Sequence, residues 1–230
     1  MQLFFASKSD VEKGVLSPEE SQHCVKVLRK KIGDEVNVID GEGSNYLVKI
    51  TKTKGKSCEY QVLSKEEVAY NLPNLHIAIA PTKNLNRFEF FVEKACELGV
   101  KEITPMLTFN SERKHLNIDK LTKKMIAACK QSYTLHFPVI NPVVKFSDLL
   151  KSDAEQKLIA HCYSHETPHL NTFDPEKETF LIVGPEGDFS KEEVESAIDS
   201  QFQAVSLGYK RLRTETAGMF ACSIFNLASK

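Results

Sequence analysis

Residues 180–190, with the sequence FLIVGPEGDFS, indicate the fold class of this chain. The first four residues are an apolar run of strand length, and the GPEG sequence at 184–187 forms a turn. Ser190 and Glu193 then have the spacing of a capping box, which predicts a helix start. A buried strand that leads through a glycine loop into a helix is typical of an open α/β sheet, where ligands bind beyond the carboxyl ends of the strands.

The same alternation of strands and helices runs from Leu75 to the C-terminal region. It predicts a mainly parallel sheet that is covered on both faces by helices. In chain order we predict strands at 75–80, 103–107, 157–163, 179–183 and 203–207, and helices at 88–98, at 119–132, from 190 and from about 214.

The first 70 residues are instead rich in predicted β-structure. A strand at 3–6 precedes a hairpin in which 36–39 is joined to 46–50. Ser17 and Pro18 have the composition of a helix start, and this helix is predicted to continue to Arg29. The NLPN sequence at 71–74 breaks the pattern, so we predict one domain at 1–72 and a second at 73–230.

The overall charge is close to neutral. Lys and Arg number 30 and Asp and Glu number 31 among 230 residues, which gives a formal net charge of -1. Long-range attraction to a polyanion is therefore missing, and such a partner would have to be met by local basic runs. These runs lie at 26–31, 49–56 and 210–213.

The cysteines and apolar runs bear on the cellular location. The 6 cysteines are widely spaced without a CxxC motif, which indicates reduced thiols that pack as small apolar side chains. No apolar run reaches the roughly 18 residues of a membrane span, and no signal peptide precedes the first strand. We therefore expect a cytoplasmic protein with no membrane partner.

The loop at 208–213 places three cations beside a predicted helix start. Cations at a helix N-terminus oppose the helix dipole, so this arrangement favours an anionic ligand at the loop. A solvated loop without a ligand is the alternative.

Several motifs in this order along the chain resemble the RsmE family, whose members methylate N3 of a uridine in small-subunit ribosomal RNA. The last two motifs are specific in combination. The motifs are His23 with Leu28 and Arg29, Lys83 with Arg87, Glu89 and Phe90, the EKA and ELGV sequences at 93–95 and 97–100, GPEG at 184–187, and Leu207 and Gly208 followed by LRTETA at 212–217.

The resemblance implies a fold and a set of partners. It implies an N-terminal PUA-like β-barrel at 1–72 and a C-terminal SPOUT methyltransferase domain with a trefoil knot at 73–230. It also implies S-adenosylmethionine as cofactor, a homodimer, and 16S ribosomal RNA within the small subunit as partner. By the resemblance, the cofactor is bound by Leu181, Gly184, Pro185, Glu186, Gly187, Leu207, Gly208, Leu212 and Thr214.

Roles in catalysis and RNA binding follow from the same resemblance and from charge. Arg213 is expected to stabilise the uracil anion that develops during methyl transfer, and Glu215 or Glu186 to act as base or orienting group. Stabilisation of the first helical turn is the alternative role for Glu215. The predicted RNA-binding residues, which would hold a flipped or single-stranded base, are Lys26, Arg29, Lys30, Lys83, Arg87 and Arg113.

The sequence departs from the usual family pattern at three places. Asp188 stands where a second glycine is common, Lys210 and Arg211 replace an arginine-isoleucine pair, and Lys130 and Thr134 occupy positions where glutamate and arginine are often found. The first departure bears on the flexibility of the loop, and the last on RNA contacts.

Two other functions and a metal site were weighed. A SPOUT methyltransferase with another RNA target, or a non-catalytic RNA-binding protein, would share most of these features. His161, His165 and His169 recur every four residues, but Pro168 interrupts a helix that would align them. We therefore expect no metal.

Overall fold

The computed structural model describes residues 2–54, 57–163 and 167–228. The chain divides into two compact units, one of residues 1–71 with 126–137 and the other of residues 72–125 with 138–230. Lys56 and His165, which belong to the basic run and the histidine series above, lie outside the described residues.

The first unit is built on a four-stranded sheet with the order β1-β2-β3-β4. β1 pairs with β2 in parallel, and the other pairs are antiparallel. The elements of this unit are β1 (Leu3–Phe5), α1 (Lys8–Lys13), α2 (Pro18–Gln22), a π-helix (His23–Val27), β2 (Glu35–Ile39), β3 (Ser44–Lys54) and β4 (Ser57–Glu67).

The predicted hairpin is confirmed as β2 and β3. Asp40 holds the turn between them, because its carboxylate accepts hydrogen bonds from the backbone N–H groups of Glu42 and Ser44 at 2.8 and 3.1 Å. Burial opposes ionisation of Asp40, but these bonds outweigh it and lower its pKa. β4 was not predicted, since most of its residues are exposed and show no apolar alternation.

The helix predicted to run from Ser17 to Arg29 is partly wrong. Ser17 does cap α2, with its side chain accepting from the N–H of Glu20 at 3.2 Å, but the α-helix gives way to a π-helix at His23. The helical segment ends where Arg29 takes a left-handed conformation with φ of 55°. The N–H of Lys30 then bonds to the carbonyl of Cys24 at 3.1 Å, a six-residue closure like that of a Schellman cap.

The second unit contains the strands and helices of the predicted α/β region. Its elements are β5 (Leu75–Ile79), α3 (Leu85–Leu98), β6 (Glu102–Leu107), α4 (Ile118–Ser132, up to Met125), β7 (Val139–Ile140), β8 (Val144–Lys145), α5 (Phe146–Leu149), β9 (Gln156–Ala160), a 3-10 helix (Leu170–Thr172), β10 (Thr179–Val183), α6 (Lys191–Asp199), β11 (Gln203–Val205) and α7 (Thr214–Ala228).

These strands form one 7-stranded sheet in the order β11-β9-β10-β5-β6-β7, with β8 also paired to β6. The prediction of a parallel sheet is confirmed, since every strand pair described in it is parallel. The capping box is confirmed as well: Ser190 accepts from the N–H of Glu193, and the Glu193 carboxylate accepts from the N–H of Ser190.

Helices cover both faces of this sheet. Ala78 belongs to a core cluster that also contains Phe146 of α5 and Ala197 of α6. Its neighbour Ile79 points to the opposite face, since successive side chains of a strand alternate. On that face the Cβ of an added side chain at Gly218 of α7 would lie 3.0 Å from Ile79 and 2.4 Å from the ring of Phe91 in α3.

The contact at Gly218 gives a test of this packing. Gly→Ala in an exposed helix normally stabilises a protein by about 1 kcal/mol. At Gly218 we expect the opposite sign, a loss of about 1–3 kcal/mol in the free energy of unfolding, because the buried Phe91 ring must move. Urea unfolding of Gly218→Ala measures this change.

The control for this experiment is Leu227→Ala in the same helix, where the side chain is 87% exposed. We expect it to change the stability by less than about 0.5 kcal/mol. A Gly218→Ala protein as stable as the wild type would contradict the close packing of α7 on α3 and β5.

Candidate active site

A cavity of about 670 Å³ lies beyond the carboxyl ends of β9, β10 and β11. It occupies the position where open α/β sheets bind ligands. The residues that follow these three strands, and the start of α7, form its wall. The lining residues are Ala160, His161, Cys162, His169, Val183, Gly184, Pro185, Glu186, Asp188, Val205, Ser206, Leu207, Gly208, Tyr209, Lys210, Arg211, Leu212, Arg213, Thr214 and Ala217.

The loop after β10 contributes three of the predicted cofactor-binding residues, Gly184, Pro185 and Glu186. Gly184 is needed for packing, because a Cβ there would lie 2.9 Å from the ring of the buried Phe189. Of the other residues predicted in this region, Leu181 is fully buried within β10 and Gly187 lies outside the lining.

The loop after β11 contributes the other predicted residues, Leu207, Gly208, Leu212 and Thr214, together with Arg213. Its two ends are anchored. At the start, the N–H of Ser206 bonds to the carbonyl of Pro168 at 2.9 Å. At the far end, the buried hydroxyl of Thr214 donates to the carbonyl of Gly184 at 2.9 Å, so the start of α7 is tied to the loop after β10.

Asp188 connects the loops after β9 and β10. One oxygen of its carboxylate, Oδ2, accepts from the N–H of Cys162 at 3.0 Å, and the other accepts from the N–H of Phe189 at 2.9 Å. Its backbone is left-handed, with φ of 62°. Aspartate tolerates this conformation better than most residues because its carboxylate can bond locally, as it does here.

His161, Cys162 and Asp188 line the cavity, although the sequence interpretation did not include them among the site residues. The signal that could have found them is the end of β9. Because β9 lies between β10 and β11, the residues after it must adjoin the two predicted loops.

The titratable groups after β9 are uncharged near neutral pH. Burial lowers the pKa of His161, with partial opposition from Asp188, and its Nδ1 accepts from the N–H of Tyr163 at 3.1 Å. Burial raises the pKa of the Cys162 thiol, an effect that Asp188 reinforces. The charge of the cavity wall therefore comes from Glu186 and Asp188 and from Lys210, Arg211 and Arg213.

Two further loops brace the loop after β10. Oε1 of Glu186 accepts from the N–H of Lys83 at 3.0 Å, and the guanidinium of Arg113 donates to the carbonyl of Lys83 at 3.0 and 3.3 Å. Nδ2 of Asn110 donates to the carbonyls of Gly187 and Asp188 at 3.2 and 3.0 Å. The predicted RNA-binding residues Lys83 and Arg113 thus lie beside this loop, and they also line a second cavity of about 450 Å³.

Glu215 lies in the first turn of α7 and is not part of the cavity lining. Its side chain is 9% exposed, and its Oε1 atom is 3.9 Å from Nε of Arg87 in α3. Its Oε2 atom is buried and has no hydrogen-bond partner among the described residues. The structure therefore pairs Glu215 with Arg87, another predicted RNA-binding residue.

In the first unit, Lys26 and Arg29 are exposed and Lys30 is half-buried, all at the end of the π-helix. Lys130, one of the departures from the family pattern, is engaged within this unit: its Nζ is 2.5 Å from Oε1 of Glu20, and both side chains are largely buried. The hydroxyl of Thr134 bonds to that of Ser132 at 2.8 Å. Both departures therefore have local partners.

Two other features of the described chain concern metals and membranes. Within residues 2–54, 57–163 and 167–228, no group of three or more histidine, cysteine, aspartate or glutamate side chains is arranged to hold a metal ion. In the same part of the chain, no helix combines the length and the apolar character that a membrane crossing requires.

Two family models match the chain. Residues 70–226 match an RNA methyltransferase domain, and residues 16–63 match an RNA methyltransferase PUA domain. The first match includes every residue of the cavity wall.

Individual proteins are similar over nearly the whole chain. Ribosomal RNA small subunit methyltransferase E of Aquifex aeolicus is 30% identical, over 97% of this chain and 98% of the relative. The crystal structure of a probable rRNA-methyltransferase from Porphyromonas gingivalis is 35% identical, with a TM-score of 0.92 over 100% of this chain and 98% of that one. The crystal structure of ribosomal RNA small subunit methyltransferase E from Neisseria gonorrhoeae, bound to S-adenosyl methionine, is 26% identical, with a TM-score of 0.81 over 97% and 95% of the two chains.

The methyltransferase match covers more than half of the chain, and the identity to the Aquifex relative extends along the full length of both proteins. This chain therefore belongs to the RsmE family of RNA methyltransferases.

Proposed function

We propose that this protein transfers a methyl group from S-adenosylmethionine to N3 of a specific uridine in 16S ribosomal RNA, within the small ribosomal subunit. The observation that carries the proposal is the cavity at the ends of β9, β10 and β11, which combines a glycine-rich wall with Arg213. The N. gonorrhoeae relative, named for the same activity, binds S-adenosyl methionine.

The cavity fits this cofactor in size and in chemistry. Its volume of about 670 Å³ is within the usual range for small-molecule sites. Main chain at Gly184 and Pro185 and apolar side chains at Val183, Leu207 and Leu212 suit a nucleoside. The carboxylates of Glu186 and Asp188 suit a positively charged ligand.

We assign the cofactor to the residues named from the sequence, with two kinds of contribution. Gly184, Pro185, Glu186, Leu207, Gly208, Leu212 and Thr214 would contact the cofactor, since all of them line the cavity. Leu181 and Gly187 would support the wall from behind, through the buried strand β10 and the bonds of Asn110.

Arg213 would carry the main electrostatic part of catalysis. When bound, S-adenosylmethionine supplies a methyl group on a positively charged sulfur. N3 of uracil must lose its proton to accept that group, so negative charge develops on the base. The guanidinium of Arg213, in the cavity wall, would stabilise this charge.

Glu215 would act through Arg87, because it is buried outside the cavity lining and lies 3.9 Å from that guanidinium. A carboxylate in the first turn of α7 also interacts favourably with the helix dipole. We therefore place Glu215 as a positioning residue for the start of α7 and for Arg87.

For the RNA we propose phosphate contacts from both parts of the chain, with Lys26, Arg29 and Lys30 in the first and Lys83, Arg87 and Arg113 in the second. The PUA match at 16–63 supports a PUA-like barrel within 1–72 as an RNA-binding domain. Family membership supports a knotted SPOUT domain at 73–230, a homodimer and a cytoplasmic location.

The test of the proposed function is mass mapping of 16S ribosomal RNA from a strain in which the gene is deleted. We expect one uridine to lose a methyl group on N3, and plasmid-borne protein to restore it. An unchanged modification pattern would refute the proposal. Loss of a methyl group from another RNA would instead support a methyltransferase with a different target.

Arg213→Ala tests the catalytic assignment. We expect kcat for methyl transfer to fall by about 100- to 1,000-fold, because a preorganised charge donor is lost from the transition state. Cofactor affinity, measured by calorimetry, should change little. Arg213→Lys serves as the matched variant and should retain part of the activity, since it keeps the charge. Near-wild-type turnover of Arg213→Ala would remove this residue from the mechanism.

Charge reversal of Arg29 and Lys30 tests the RNA surface of the first unit. We expect weaker binding to small subunits and a flatter dependence of log affinity on log salt, by roughly 0.7 to 0.9 per lost phosphate contact. The control is charge reversal of the exposed Lys8 and Lys13 in α1, which changes the net charge equally. If both double variants lost the same affinity and slope, the effect would reflect net charge alone.

A further inference from the structure

Tyr209 is the most exposed of the large apolar and aromatic side chains described in the chain, with 94% of its surface accessible. It also lines the candidate active-site cavity. A nearly fully exposed aromatic ring at the edge of a ligand cavity has a large apolar surface that no part of the second unit covers.

The backbone before this ring is held in a defined position. Ser206 is bonded on both sides to the segment before the 3-10 helix, through Pro168 at 2.9 Å and Leu170 at 3.0 Å. Its hydroxyl also bonds to the N–H and the carbonyl of Gly208 at 3.1 and 3.2 Å. Gly208 has φ of 118°, which favours glycine, and the chain then presents Tyr209 outward.

Positive charge surrounds the ring. Nζ of Lys210 is 5.6 Å from the ring centroid, which is within cation–π distance. Arg211 and Arg213 follow in the same loop and also line the cavity. An exposed aromatic ring among cations is the combination with which proteins bind single-stranded RNA, since the ring stacks on a base and the cations meet phosphates.

We propose that Tyr209 is a stacking platform for a base of the substrate RNA next to the target uridine. The inference rests on the proposed function and extends it to the neighbouring nucleotide. The target base must enter the cavity, whereas a ring that is 94% exposed makes almost no contact with the cavity wall. A base stacked on it therefore lies at the mouth, one nucleotide from the base inside.

Three substitutions at this position separate stacking from size. Tyr209→Ala should lower kcat/KM for small subunits by about tenfold to a hundredfold, mainly through KM, because a base-aromatic contact is lost. Tyr209→Phe should retain nearly wild-type values, since the π-face is kept. Tyr209→Leu keeps apolar bulk without a π-face and should behave like Tyr209→Ala. Affinity for S-adenosylmethionine should stay within about twofold of the wild type in all three, because the ring makes little contact with the cavity wall.

A fluorescence experiment tests stacking without relying on turnover. The chain contains no tryptophan, so Tyr209→Trp provides a single indole at the site. We expect its emission to be quenched when unmodified small subunits are added and to be unaffected by S-adenosylmethionine alone. The matched protein is Phe109→Trp, at another exposed aromatic position that does not line the cavity, where little quenching is expected.

The outcomes are distinct. Equal kcat/KM for Tyr209→Ala and the wild type, or no quenching of Tyr209→Trp by subunits, overturns the stacking role. Sedimentation velocity adds a third outcome: a change of oligomeric state in Tyr209→Ala would show that a second copy covers the ring, which also overturns it. If the wild type does not methylate subunits, the proposed function fails, while quenching still decides whether Tyr209 contacts RNA.

Discussion

Val183, at the end of β10, is in register with Ala160 of β9 on one side and with Ile79 of β5 on the other. Val205, at the end of β11, is in register with Ala160 as well. Parallel hydrogen bonding therefore starts the loops after these strands at one level of the sheet edge. The cavity depends on this register, because its wall consists of residues that directly follow the aligned strand ends.

Hydrogen bonds between the loops convert this proximity into a defined wall. The buried bond from Thr214 to the carbonyl of Gly184 joins the start of α7 to the loop after β10, and Asp188 joins that loop to the one after β9. Glu186 adds a bond to the backbone of Lys83 after β5. Each bond satisfies a backbone group that would be costly to leave unpaired in a closed site.

The sequence predicted features whose determinants are close together along the chain. The capping box at Ser190 and Glu193 and the parallel α/β region are examples, and most of the predicted cavity residues do line the cavity. Features that depend on distant residues were missed. Asp188 bonds to a residue 26 positions away, and residues 126–137, which continue the helix α4, belong to the first unit. No local pattern of residues encodes either relation, nor does one distinguish the π-helix at His23–Val27 from an α-helix.

Asp188 stands where relatives commonly have a second glycine, and it changes when the loop after β10 becomes ordered. A glycine samples many backbone conformations before a ligand binds and loses them on binding. The two hydrogen bonds of the Asp188 carboxylate have already removed that freedom from the folded chain. Part of the ordering entropy is thus spent during folding, so this loop contributes to cofactor affinity by preorganisation more than by additional contacts.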